Sequence, residues 1–213
     1  MRAELWPDAD ADWRAAAAMR TVPREAFLPR WERRFAGADL PIAIGYGATN
    51  SQPSTVQTML ALLDVYPGDR VLDVGAGSGW TTRILAHLAG PEGEVIGVEI
   101  VPELVEMARE NLEAVGLDDA PGARARMIRA DGDALGAPSL APFDRILVSA
   151  DAGFVPRELA EQLEEGGRMV LPAATRMVLV ERHGGDFVIR RAVGGYSFVP
   201  LLVVRRPGDA LPF

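Results

Sequence analysis

Short aliphatic runs at 70–74, 94–99, 125–129, 145–149 and 168–171 are too brief for buried helices and carry the nearly continuous apolar character of strands covered on both faces. Between most of them the apolar residues change to helical spacing, over 80–88, 102–115 and 156–164. Within 102–115, Leu104, Val105, Ala108, Leu112 and Val115 fall on one face, and Gly116 supplies the stop. Strand and helix in alternation predict an α/β fold built on a doubly wound, mostly parallel sheet.

The two ends depart from this rhythm. An amphipathic stretch at 12–20, then Val22 to Pro29 and an Arg/Trp-rich segment, predict N-terminal helices packed on the sheet. Residues 40–47 read as a loop punctuated by Pro and Gly, and a helix runs from Pro53 to about Asp64, with the proline in the first turn where a missing N–H is harmless. Residues 177–181, 187–190 and 198–204 read as strands without intervening helices, which predicts an antiparallel C-terminal edge.

One junction carries chemistry. The strand at 70–74 runs directly into Asp73-Val74-Gly75-Ala76-Gly77-Ser78-Gly79 and then into a helix. Glycines at such a turn let backbone approach a ligand, and the helix N-terminus beyond offers unpaired N–H groups. The spacing is not the G-x-G-x-x-G of dinucleotide sites, and Asp73 would repel a pyrophosphate. A carboxylate there accepts hydrogen bonds from an ammonium group or from ribose hydroxyls. The next strand, 94–99, ends in Glu99, at the separation where an acid meets ribose hydroxyls.

Composition narrows the chemistry further. The chain has 213 residues, 48% hydrophobic and 24% charged, which suits one domain with a substantial core. It has no cysteine and two isolated histidines, so no thiol nucleophile and no Cys/His metal site is expected. All 22 basic residues are arginine, which removes lysine Schiff-base chemistry. A net charge of −8 argues against broad nucleic-acid binding. No apolar run is long enough to span a membrane and the first residues lack a secretory layout, so a cytoplasmic protein is expected, a monomer by default.

The glycine turn with Asp73 and Glu99 resembles the S-adenosylmethionine-dependent methyltransferases of the Rossmann-like, doubly wound class. That resemblance assigns Asp73, Gly75, Gly77 and Gly79 to the methionine part of the cofactor and Glu99 to its ribose. It also makes Asp131, with Gly132 beside it, the partner of the adenine. Four blocks are similar to one family, the protein-L-isoaspartate O-methyltransferases: Val22 to Pro29, Ile44 to Pro53, Pro102 to Glu106 and Phe198-Val199-Pro200-Leu201. They follow the family's order from about residue 19 to 204. The resemblance implies methyl transfer from S-adenosyl-L-methionine to the carboxylate of isoaspartyl residues in damaged proteins or peptides, with S-adenosyl-L-homocysteine as product. Transfer to an already ionised carboxylate needs alignment and exclusion of water, not a general base or metal.

The resemblance makes Ser51 the catalytic hydroxyl that holds the substrate carboxylate, with Thr49, Asn50 and Val199 beside the substrate. A second reading of Ser51, two residues before Pro53, is a helix cap, and the two roles can coexist. The chain departs from the family pattern at Ala48, where glutamine is usual, at Asn50, usually isoleucine, and at Ser197, usually arginine. Asp151 stands where a small uncharged residue is usual, and a carboxylate near the acceptor would oppose an anionic substrate. Trp80 and Trp31 are expected in the core, and His87 and His183 at the surface. The division expected within the domain 1–213 is a cover and substrate loop at 1–64, a cofactor-binding core at 65–175 and antiparallel strands at 176–213. Two alternatives stay open: methylation of an aspartate in a dedicated biosynthetic peptide, and an S-adenosylmethionine-binding module without turnover.

Overall fold

The aliphatic runs pair into a seven-stranded sheet with an apolar layer on each face. The structure, a computed structural model, describes residues 7–116, 122–130, 134–191, 195–202 and 209–211. Helix α1 (Ala9–Thr21) starts on Asp8, whose carboxylate accepts from the Asp10 amide at 2.8 Å. Two short 3₁₀ turns (Arg24–Phe27 and Arg33–Phe35) lead to a hairpin of β1 (Ile42–Gly45) and β2 (Ala48–Asn50), then to α2 (Pro53–Leu63). The central units follow as β3 (Arg70–Val74), α3 (Trp80–Ala89), β4 (Glu94–Glu99), α4 (Pro102–Ala114), β5 (Arg124–Arg129) and β6 (Phe143–Val148). The chain continues through β7 (Val155–Pro156), α5 (Arg157–Ala160), β8 (Leu163–Ala173), β9 (Arg176–His183), β10 (Asp186–Arg191) and β11 (Ala210–Leu211).

In the large sheet the order is β10-β9-β8-β6-β3-β4-β5. Strands β8, β6, β3, β4 and β5 are parallel, and β9 and β10 add on antiparallel. The mostly parallel sheet with an antiparallel C-terminal edge is as the periodicity predicts. The connections leave β3 in one direction and β6 in the other, so the carboxyl ends of these two strands form the crevice where α/β sheets bind ligands. Alternation sorts the side chains. Val71, Val95, Leu147 and Val170 face Phe27, Met59, Leu63 and Ile84, while Leu72, Ile96, Ile146 and Met169 face Val155, Leu159 and Leu163. No helix among the described residues is long and apolar enough to cross a membrane.

Three sequence expectations are corrected. Residues 40–47 are not simply a loop, because Tyr46 and Gly47, at φ of +54° and +76°, close a tight hairpin between β1 and β2. The helix expected over 156–164 is one turn long, and β8 begins at Leu163, where pairing with Phe143 outcompetes helix continuation. Of the strand expected at 198–204, the described part carries only an isolated bridge between Pro200 and Asp151, and 203–204 lie outside the described residues. Strand β11 pairs instead with β7.

Asp64 ties the N-terminal cover to the sheet. It ends α2 in the left-handed region at φ +57°, and its carboxylate meets Arg14 of α1 and Arg168 of β8, the latter at 3.1 Å. With the side chain 19% exposed, its loss leaves two guanidinium groups without this partner. Asp64→Ala is therefore expected to lower stability by about 2 kcal/mol, read as a shifted urea midpoint at unchanged slope. Asp64→Asn recovers part of this, because asparagine tolerates the left-handed backbone.

Candidate active site

A cleft of about 500 Å³ opens at the carboxyl ends of β3 and β6. It is walled by the β1–β2 hairpin and Ser51, by the glycine turn, by the ends of β4 and β6, and by the segment Val199 to Leu202. The glycine turn needs its glycines: Gly75, Gly77 and Gly79 sit at φ of +75°, +55° and +88°. A Cβ on Gly79 would stand 3.2 Å from the Cβ of Ala108, so this glycine also lets α4 approach. Gly75 and Ala76 donate to the Val98 carbonyl at 2.9 and 3.2 Å, which fixes the turn to β4.

Glu99, 7% exposed, lies on the cleft. Its Oε2 accepts from the Gly77 amide at 3.0 Å and its Oε1 from the Ile100 and Val101 amides at 2.8 and 3.0 Å. Three of about four acceptor directions are thus filled by backbone, which orients the carboxylate and leaves acceptor capacity for a hydroxyl.

Asp73 is fully buried and is not among the residues that line the cleft. Its Oδ2 accepts from the Thr81 and Thr82 hydroxyls at 2.8 and 2.7 Å, while Oδ1 has no hydrogen-bond partner. Burial pushes its pKa up to about 6, the two hydroxyls oppose that rise, and the charge of Glu99 adds to it. Thr81 does line the cleft. Its single hydroxyl proton goes to Asp73, so toward the cleft it can act only as an acceptor, which carries the buried charge to the surface.

Across the cleft stands the segment Thr49-Asn50-Ser51, all three lining it. Arg24, 6% exposed, holds this segment from behind. Its Nε donates to Asn50 Oδ1 at 2.7 Å and its Nη2 to the carbonyls of Asn50 and Ser51 at 3.0 and 2.9 Å. Further bonds reach the carbonyls of Ala38 and Leu40 at 2.9 and 2.8 Å, and the Trp80 ring lies 5.4 Å from the guanidinium. Burial lowers the pKa of Arg24, and nearby Asp39 opposes that shift.

Ser51 does not cap α2. The Ser54 amide is taken by Asp39 Oδ1 at 2.9 Å, and Gln52 Nε2 donates to the other oxygen at 3.0 Å. The Ser51 hydroxyl makes no hydrogen bond among the described residues and remains available to the cleft. Val199 lines the same cleft from the C-terminal segment. Asp131 and Gly132 lie outside the described residues, although Ala130 and Ala134 on either side line the cleft. Among the described lining residues none is cationic, and the acids are Glu99, Glu158 and Asp209.

The family model described as protein-L-isoaspartate(D-aspartate) O-methyltransferase matches residues 9–206. A protein-L-isoaspartate O-methyltransferase of Methanopyrus kandleri is 45% identical over 193 residues, 89% of this chain and 83% of the relative. One of Methanococcoides burtonii is 41% identical over 90% of this chain and 93% of its own length. A crystal structure of a putative protein-L-isoaspartate O-methyltransferase from Plasmodium falciparum, in complex with S-adenosyl-L-homocysteine, superposes with a TM-score of 0.75 at 25% identity, over 89% of this chain and 90% of that one. The chain belongs to the protein-L-isoaspartate O-methyltransferase family.

Membership gives the four departures a structural reading. Asp151 does not line the main cleft: its Oδ1 accepts from the Gly153 and Ala174 amides at 2.6 and 3.3 Å. Its backbone clamps the C-terminal segment, donating to the Val199 carbonyl and accepting from the Leu201 amide, both at 2.9 Å. The expected opposition to an anionic acceptor is thereby reduced, since the charge is engaged elsewhere. Ser197 is exposed, Ala48 packs against the small cluster of Leu28, Ile42, Ile44 and Leu104, and Asn50 is 5% exposed against Arg24. Trp80 is in the core as expected, its Nε1 donating to the Val22 carbonyl at 3.1 Å, but Trp31 is 73% exposed, correcting the expectation for that residue.

Arg24, Thr81 and Asp39 hold the walls of the cleft in ways that reading the sequence missed. Arg24 lies within the Val22 to Pro29 block, yet nothing local marks it as the anchor of residues 26 and 27 positions further on. Arg24→Lys keeps a charge but loses the planar fork that serves several carbonyls at once. It is expected to lower the melting temperature by about 5 °C or more and to raise the peptide KM, checked by calorimetry and steady-state kinetics.

Proposed function

We propose that this family member transfers the methyl group of S-adenosyl-L-methionine to the free α-carboxylate of L-isoaspartyl residues in damaged cytoplasmic proteins and peptides, releasing S-adenosyl-L-homocysteine. The observation that carries the acceptor half is the Ser51 hydroxyl, without a hydrogen bond among the described residues and on the cleft wall formed by the β1–β2 hairpin, while the glycine turn forms another wall. The cleft fits the donor: positive-φ glycines admit close backbone approach, Glu99 offers acceptor capacity for ribose hydroxyls, and Thr81 backed by Asp73 offers an acceptor for an ammonium group. The bound sulfonium supplies an electrophilic methyl group.

The protein's own residues then have two tasks. Ser51, held through its carbonyl by Arg24, donates to the substrate carboxylate and fixes its distance and angle. Trp80, Phe154, Val199 and Leu201 furnish apolar wall that strips water from the attacking oxygen. The acceptor is ionised near neutral pH, so no residue has to remove a proton. In this reading the neutral Ser51 and Thr49 hydroxyls address the acceptor carboxylate.

A methyl-transfer assay on matched peptides differing only in an isoaspartyl or aspartyl linkage tests the proposal. Transfer to the isoaspartyl peptide in strong preference is expected. Cofactor binding without transfer to either peptide rejects it, and preference for the aspartyl peptide replaces it with an aspartate methyltransferase.

A further inference from the structure

We infer that Asn50 is a positioning residue that links the acceptor hydroxyl of Ser51 to the cofactor turn at Ser78, so that donor and acceptor bind cooperatively. The inference rests on the reading of Ser51 as the acceptor-holding hydroxyl. Asn50 is 5% exposed and Ser78 is 2% exposed, so a link between them is shielded from competing water. Arg24 is a donor only, and its Nε stands 2.7 Å from one end of the Asn50 carboxamide. That end must therefore be the oxygen, which forces the amide nitrogen toward the remaining acceptor, Ser78 Oγ, at 3.4 Å.

Both ends of this bridge are anchored. On the acceptor side, Arg24 Nη2 binds the Asn50 and Ser51 carbonyls together, so the backbone carrying the Ser51 hydroxyl moves with the Asn50 side chain. On the donor side, the Ser78 carbonyl accepts from Asn111 Nδ2 of α4 at 3.0 Å, and Ser78 stands between Gly77, whose amide binds Glu99, and Gly79, which abuts α4. At 3.4 Å the Asn50–Ser78 bond is at the long limit of hydrogen bonding. A ligand that settles the glycine turn tightens that bond, and tightening draws Thr49-Asn50-Ser51 toward the turn. An isoleucine at this position would have neither donor nor acceptor and would leave the Arg24 Nε without its side-chain partner.

Cooperativity is the readout that a merely structural role would not move. Calorimetric titration of an isoaspartyl peptide, with and without saturating S-adenosyl-L-homocysteine, is expected to show the ligand tightening peptide binding by about fivefold or more. Linkage requires the peptide to tighten the ligand by the same factor. Ser78→Ala leaves the Arg24–Asn50 bond intact and removes only the far end. It is expected to bring the coupling factor close to one, while the melting temperature falls only by the cost of leaving the Asn50 amide nitrogen without this one long bond.

Asn50→Leu removes both ends and is the comparison where it folds; Ser78→Ala decides the matter where it does not. A parent protein without coupling, or a Ser78→Ala variant with the parent's coupling, overturns the inference. Failure of the underlying reading looks different. Ser51→Ala that retains full peptide affinity and turnover removes the role of Ser51, whereas coupling that survives in that variant and vanishes in Ser78→Ala leaves the Asn50 link in place.

Discussion

Ser51→Ala should reduce kcat/KM for an isoaspartyl peptide by about fiftyfold while leaving the Kd for S-adenosyl-L-homocysteine within about twofold of the parent. The size follows from losing one hydrogen bond to a charged group, about 1.5–3 kcal/mol, at a site that supplies no cation among its described lining residues. The direction follows from where Ser51 stands, on the hairpin wall and apart from Glu99 and Asp73. As the methyl group transfers, negative charge leaves the attacking oxygen, so a donor on that oxygen would favour the ground state over the transition state. The productive place for the hydroxyl is the other carboxylate oxygen, where it sets the angle of attack without quenching the nucleophile. Ser51→Thr keeps the donor and should keep most of the activity. The loss in Ser51→Ala should be constant from about pH 6 to pH 9, because the acceptor is ionised throughout that range. Alanine at full activity would show that the free hydroxyl is incidental to the reaction.

The same residue shows how much of this molecule is legible in the chain. The core units were readable because a buried parallel sheet imposes short, nearly continuous aliphatic runs, and the Asp73-to-Gly79 junction was readable because positive-φ turns demand glycine. The Ser51 neighbourhood was harder. A serine before Pro53 carries the local signature of a helix cap, and only the tertiary fold reveals that Asp39, 15 residues before Ser54, fills that role and frees the hydroxyl. Arg24 is similarly invisible, since its partners are carbonyls, which any residue supplies. The hairpin of β1 and β2 was masked by its own Gly-Tyr-Gly turn, which in a short segment reads as loop. At the C-terminal end, 198–202 had strand composition but follows Asp151 through backbone bonds instead of joining the large sheet. Composition marks what a segment would bury; which edge receives it depends on distant residues.

Asp73 provides the sharpest test of the donor half, because stability and binding should move in opposite directions. Its folded pKa of about 6 lies above the ordinary value of 3.8, so the folded chain holds this proton more tightly than the unfolded one. Stability from this group is greatest below pH 3.8, falls as pH rises between 3.8 and about 6, and is fully lost above. At pH 8 the buried charge therefore costs about 3 kcal/mol relative to a protonated carboxyl. Asp73→Asn removes that cost and keeps an oxygen for the Thr81 and Thr82 hydroxyls, but its amide nitrogen takes the place of an oxygen that already lacks a partner. The net gain should be about 1–2 kcal/mol at pH 8 and should disappear by about pH 4. Cofactor binding should run the other way. Without the carboxylate, Thr81 no longer carries negative charge to the cleft, and the Kd for S-adenosyl-L-homocysteine should rise about a hundredfold. In the parent, affinity should fall as pH drops through about 6, approaching tenfold per unit, as the carboxyl takes up a proton. Urea unfolding and calorimetric titration across this range measure both arms. A variant that gains stability at pH 8 but binds like the parent would confine Asp73 to shaping the turn and leave recognition of the ammonium group to Thr81 and the backbone.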